Sequence, residues 1–168
     1  SLAREEKKMS IEKVRRYFSQ WNMENRIKEF DVSSATVELA AKALNCKPER
    51  IAKTLSFMVD GKAILIVTAG DAKIDNSKYK HKFGTKARML TPEQVLELVG
   101  HPVGGVCPFG INEGVPVYLD ISLKRFETVF PACGSGNSAI ELTIPELEKY
   151  SGYVEWVDVC KGWNEEEA

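Results

Sequence analysis

A run of twelve residues from Val103 to Gly114, VGGVCPFGINEG, carries four glycines, one proline and one cysteine. Glycine lets main-chain N–H groups approach a ligand with no side chain in the way, and proline fixes the neighbouring φ, so the stretch can form a wall of donors around a substrate. It can equally be an ordinary glycine-rich connection, since neither residue type suits a helix interior or the middle of a strand. Cys107 adds a thiol nucleophile to the possibilities, with His101 as the only base in evidence. Against it, isolated cysteines are most often small buried hydrophobes. Cys46, Cys107, Cys133 and Cys160 form no CxxC pair, and only His81 and His101 remain to complete a metal site, so neither metal nor other cofactor is expected.

The elements that must position these residues follow from periodicity and turn chemistry. Ile11, Val14, Phe18 and Trp21 recur at helical spacing after Ser10 and predict an amphipathic first helix. RIKEFDV reads as a short strand, and SATVELAAKALN as a helix with Leu39, Ala40, Ala43 and Leu44 inside and Asn45 at its end. Pro48 opens a brief turn. Leu55 to Val59 and Ala63 to Thr68 flank Asp60-Gly61, a strong hairpin signal. Asp75 or Asn76 caps a helix to Phe83, and Thr91 with Gln94 forms a capping box for a helix ending at Gly100. Beyond the glycine run, strands are expected at Val115–Leu119, Thr128–Ala132, Ser138–Leu142 and Val154–Val159. A short helix falls at Ser122–Phe126, and a capped one at Thr143–Tyr150. Strands and helices mix without a βαβ rhythm, which favours an α+β fold with a mixed sheet.

Composition sets the frame. With 168 residues, 43% hydrophobic and 28% charged, the chain reads as one soluble domain, 1–168, with polar tails REEKK and NEEEA. No apolar run approaches the roughly 20 residues of a membrane span. SLAREEKKMS lacks the apolar segment of a secretion signal, so a cytoplasmic location is expected.

Three stretches in order, ALNCKPERIAKTLSFMVDGKAILIVTAGD, LTPEQVLELVGHPVGGVCPFG and LDISLKRFETVFPACGSGNSAIELT, resemble the YbaK/ProX family of aminoacyl-tRNA deacylases, relatives of the editing domain of bacterial prolyl-tRNA synthetases. The resemblance spans about Ile27 to Val159. It implies that family's fold, a mixed, largely antiparallel barrel-like sheet with flanking helices. It also implies trans-acting hydrolysis of mischarged aminoacyl-tRNA, foremost a tRNA for proline carrying a small amino acid, with prolyl-tRNA synthetase as a candidate partner and no membrane or DNA involved. The family's cleft lysine falls on Lys53, and its G-x-x-x-P motif on Gly104 to Pro108. The implied catalytic set is therefore Lys53, Gly104, Gly105 and Pro108, with Phe109, Gly110, Gly134, Ser135 and Gly136 against the substrate. Cys107 departs from the family, whose members often carry a hydroxyl residue there. No His, Asp or Glu lies within either motif, and the resemblance suggests that the substrate's own ribose hydroxyl assists the attacking water.

Net charge of −1 is unexpected for a nucleic-acid binder, because phosphate contacts supply most of the affinity. The distribution is uneven, however. Lys73, Lys78, Lys80, Lys82, Lys86 and Arg88 face only Asp75 in their stretch, an excess suited to a tRNA acceptor stem or to a solvated helix face. Two rivals to the esterase stay open: a non-catalytic module binding tRNA ends or a synthetase, and a cysteine hydrolase using Cys107 and His101.

Overall fold

The computed structural model describes residues 1–31 and 36–164. In chain order the elements are α1 (Leu2–Ser19), β1 (Lys28–Glu29), α2 (Val37–Leu44), β2 (Ile51–Val59), β3 (Lys62–Ala69), β4 (Lys73–Ile74) and α3 (Asn76–Phe83). There follow α4 (Pro92–Gln94, continued by a π turn over Val95–Val99), β5 (Val117–Asp120), β6 (Thr128–Pro131), β7 (Ser138–Ala139) and β8 (Leu142–Thr143). The last are α5 (Ile144–Ser151), β9 (Glu155–Val157) and β10 (Cys160–Lys161).

Six strands form one sheet in the order β8-β6-β2-β3-β5-β9, which curls into a half-barrel. The β2–β3 hairpin is its spine, turning at Asp60-Gly61 where both residues have positive φ. Parallel pairings β2–β6, β3–β5 and β5–β9 extend it, and β8 closes one edge antiparallel. The fold is thus α+β with a mixed sheet, as expected. Residues Ala63 to Ala69 of β3 are all buried, because this central strand is covered on both faces. Side-chain caps fix the helix starts: Thr36 for α2, Asp75 for α3, and two complete capping boxes, Thr91 with Gln94 and Thr143 with Glu146.

Several elements differ from the sequence expectation, and β2 is one of them, starting at Ile51 and not at Leu55. Helix α1 begins at Leu2, capped by the Ser1 side chain, so REEKK is helix and not tail, and Ser10 is buried within it. Arg, Glu and Lys are good helix formers, and Val14 and Phe18 anchor the last turns in the core. Helix α2 buries Ala41 and half-buries Val37, Ala40 and Leu44, while Leu39 and Ala43 face outward. The stretch Ser138–Leu142 is divided between β7, which pairs with β1, and β8, which pairs with β6. The pair β4–β10 is too short to leave a periodic signal. Val32, Ser34, Ala35 and the end of NEEEA lie outside the described residues. No helix among those described is long and apolar enough to cross a membrane.

Candidate functional site

A pocket of about 240 Å³ opens where α2 lies over the start of β2. Its walls are apolar: Val37, Ala40 and Leu44 of α2, Ile51 and Ala52 of β2, and Phe130 of β6. Helix α2 is held there through a small cluster of its own, Ala41 packing with Ile51 and Phe130. Two glycine turns complete the rim, Val103, Gly104 and Val106 from one and Ser135 and Gly136 from the other. Val103 and Gly104 are exposed, so this rim is open to solvent.

The glycines serve two distinct ends. Gly104 has φ +93°, and a Cβ built on it would meet nothing within 4 Å, so its requirement is conformational and the space beside it is empty. Gly105 is buried, and a side chain there would run into the carbonyl of Gly134. A Cβ on Gly134 would in turn lie 2.7 Å from the carbonyl oxygen of Ser10. The two turns and α1 therefore touch backbone to backbone. The Gly105 N–H donates to the Pro102 carbonyl at 3.0 Å, so it closes the turn and is not offered to a ligand. For Gly104, Ser135 and Gly136, no acceptor of the main-chain N–H exists among the described residues.

Lys53 lies inside β2, opposite Thr68 of β3, and not in a turn before the strand. It is half-buried at the pocket wall, its Nζ 3.4 Å from the Gly70 carbonyl oxygen. Burial pulls its pKa below the usual lysine value, against the opposing field of Asp71. Neither His, Asp nor Glu is among the pocket-lining residues.

Cys107 does not reach the pocket. Its Sγ has no exposure, and burial pushes its thiol up to about 12. His101 Nε2 lies 2.6 Å from the Phe109 carbonyl oxygen, which can only accept, so Nε2 carries the proton and Nδ1 accepts from the Ser10 hydroxyl at 2.5 Å. The ring nitrogen nearest the thiol, at 3.5 Å, is thus already a donor and cannot serve as its base. Burial also lowers the His101 pKa to about 4. Cys107 and His101 hold the loop together.

Of the residues expected from the sequence, the structure brings Lys53, Gly104, Ser135 and Gly136 to one pocket. Gly105 and Gly134 stand immediately behind the rim. Pro108 and Phe109 are buried in the core, the Phe109 ring 4.7 Å from that of Phe18, and Gly110 lies against the Lys13 backbone. These three are not brought to the pocket; they anchor the turn. Of the basic residues, Lys86 and Arg88 line a groove with Met58, Asp60, Gly61 and Thr85, next to Met89 at the pocket. Lys78 pairs with Asp158 and Lys82 with Glu155, so part of that charge is neutralised within the fold. Lys73 is exposed on β4 and Lys80 on α3. The sequence reading missed the apolar walls from α2, β6 and Met89, whose residue types carry no mark of function.

Residues 31–150 match the family model described as an aminoacyl-tRNA editing domain. The chain is 60% identical over 156 residues to the uncharacterised protein YwhH of Bacillus subtilis (strain 168), covering 92% of this chain and 99% of YwhH. It is 30% identical over 109 residues to the proline–tRNA ligase of Geobacillus thermodenitrificans (strain NG80-2), which is 64% of this chain but only 19% of the ligase. A crystal structure described as that of a candidate trans-editing enzyme for prolyl tRNA synthetase superposes with TM-score 0.82 at 30% identity, covering 91% of this chain and 98% of that one.

Proposed function

Since the chain belongs to the aminoacyl-tRNA editing domain family, we propose that it hydrolyses the ester bond of mischarged aminoacyl-tRNA in trans, foremost a tRNA for proline carrying a small amino acid. The observation that carries this reading is the apolar pocket of about 240 Å³ with unpaired main-chain N–H groups and one lysine at its edge. The pocket receives the amino-acid side chain. The N–H of Gly104 stabilises the oxyanion that develops on the carbonyl, and fixed donors of this kind need no reorganisation during reaction. Lys53 contributes positive charge at the acyl end or at a phosphate.

Water adds to the carbonyl carbon, the bond from that carbon to the ribose oxygen breaks, and the ribose oxygen takes a proton, giving free amino acid and tRNA. With no carboxylate or imidazole lining the pocket, a ribose hydroxyl of the substrate relays the proton from water. Prolyl-tRNA synthetase, which supplies the mischarged tRNA, is the partner this reading names. The relation to proline–tRNA ligases and the trans-editing description of a structural relative both support it.

A panel of mischarged tRNAs incubated with the purified protein tests the reading. Release of a small amino acid from tRNA for proline is expected. Lys53→Ala should lose most of this activity in a folded protein, and Cys107→Ser should retain it. Binding of tRNA without release of any amino acid would make the chain a binding module, and loss of activity in folded Cys107→Ser would restore the cysteine hydrolase.

A further inference from the structure

Beside the acyl pocket lies a second groove of about 350 Å³, walled on one side by Glu6 and Lys7 of α1 and on the other by Pro92, Leu96 and Pro102. It shares Val103, Ser135 and Gly136 with the acyl pocket, whereas the groove lined by Lys86 and Arg88 shares no lining residue with it. We propose that this second groove seats the terminal nucleoside of the aminoacyl-tRNA. The inference rests on the deacylase reading above and assigns a place to the alcohol half of the ester.

Connectivity is the first reason. The ribose is bonded directly to the acyl group, so once the amino-acid side chain is in the pocket the nucleoside must occupy space that touches it. The shared rim at Val103, Ser135 and Gly136 is that space. Chemistry is the second. Pro92, Leu96 and Pro102 present apolar surface to the flat face of a base, a contact that every base can make. Lys7 is exposed and offers a cation to the nucleotide's phosphate, and Glu6 offers an acceptor to an exocyclic amine.

Preorganisation is the third reason. The α1 wall is fixed to the glycine turns by the Ser10 hydroxyl on His101, by the close approach of the Ser10 carbonyl to Gly134, and by Lys13 Nζ donating to the Gly100 carbonyl. Helix α1 precedes the segment matched by the family model, so this groove is built in part by residues outside that segment.

Adenosine 5′-monophosphate titrated onto the ¹⁵N-labelled full chain reads the groove directly, and deacylation of mischarged tRNA is measured in parallel on the same proteins. Amide shifts are expected at Lys7, Leu96, Gly105 and Gly136. Lys7→Glu or Leu96→Glu should weaken nucleotide binding about tenfold and raise KM for aminoacyl-tRNA with little change in kcat, whereas Lys86→Glu should leave nucleotide binding unchanged. Shifts confined to Lys86 and Arg88, or none at millimolar nucleotide in a protein that deacylates tRNA, would overturn the groove and leave the deacylase reading intact. Groove shifts in a protein that deacylates nothing would retain the nucleotide site and remove the deacylase.

Discussion

At the residue scale, Gly104 and Gly114 make a matched pair. Both have positive φ, +93° and +84°, and at both a side chain would meet nothing within 4 Å. Backbone strain on substitution by valine should therefore be similar at the two positions, but only Gly104 lines the pocket. Gly104→Val keeps the N–H but cannot comfortably hold φ +93°, so the N–H turns from the oxyanion. The deacylation rate is expected to fall about a hundredfold or more, as for loss of one oxyanion donor, while Gly114→Val keeps a near-native rate. Melting temperatures of the two variants should fall alike. Equal rates in both would make the run a mere connection and move the site elsewhere. The glycine run was visible in sequence because Gly and Pro are excluded from regular elements, so their clustering has few explanations. Which glycines meet the ligand was not visible: the backbone contact between Gly105 and Gly134 joins turns 29 residues apart in sequence. Lys53 could not be distinguished by spacing from any solvated lysine. Only its position on β2, half-buried beside Gly70, sets it apart.

At the element scale, α1 is tied to the glycine run through one buried imidazole. His101 is fully buried, its two nitrogens satisfied by Ser10 and by the Phe109 carbonyl, and burial holds its pKa near 4 against an ordinary 6.5. The unfolded chain takes up a proton at His101 below about pH 6.5 and the folded chain only near 4, so the contribution is fully present above pH 6.5 and lost as pH falls toward 4. The gap corresponds to about 3 kcal/mol. Denaturant unfolding of the wild type should therefore lose that much more stability between pH 7 and pH 4 than His101→Gln does, and equal losses would show that the clamp does not depend on a neutral ring. Elements bounded by side-chain caps or tight turns, such as the β2–β3 hairpin, α3 and α5, were legible in the sequence because their signals are local. The start of α1, the outward face of α2 and the two-residue strands β4, β7 and β10 were not. Tertiary partners decide the face of α2 and the short strands, with Ala41 packing on Phe130 and Ile74 opposite Cys160, whereas α1 starts at the Ser1 cap within a charged run that has no apolar periodicity.

At the scale of the whole molecule, one segment organises the surface that a tRNA end would meet. Thr85, Lys86 and Arg88 line one groove, Met89 the acyl pocket and Pro92 the second groove, so a single run of eight residues borders all three cavities. A net charge of −1 is no obstacle to binding a polyanion when basic residues are concentrated along such a path. The six basic residues from Lys73 to Arg88 are not equivalent, however. Lys78 and Lys82 are held by Asp158 and Glu155, whereas the side chains of Lys86 and Arg88 make no ion pair among the described residues. A cation already paired within the fold releases fewer counterions on meeting a phosphate. The salt dependence of tRNA binding should therefore come from the four without an ion pair among the described residues, Lys73, Lys80, Lys86 and Arg88, and mainly from Lys86 and Arg88, which line the groove beside the acyl pocket. Replacing both Lys86 and Arg88 by alanine is expected to raise KM for aminoacyl-tRNA and to reduce the slope of log KM against log salt by about two. Lys78→Ala should leave that slope nearly unchanged and cost stability instead, since it also breaks the bond to the Cys160 carbonyl. Filter binding across a salt series separates the cases. An unchanged slope in the double variant, with a reduced slope in Lys78→Ala, would shift the path of the acceptor end from the Lys86–Arg88 groove to the α3 face.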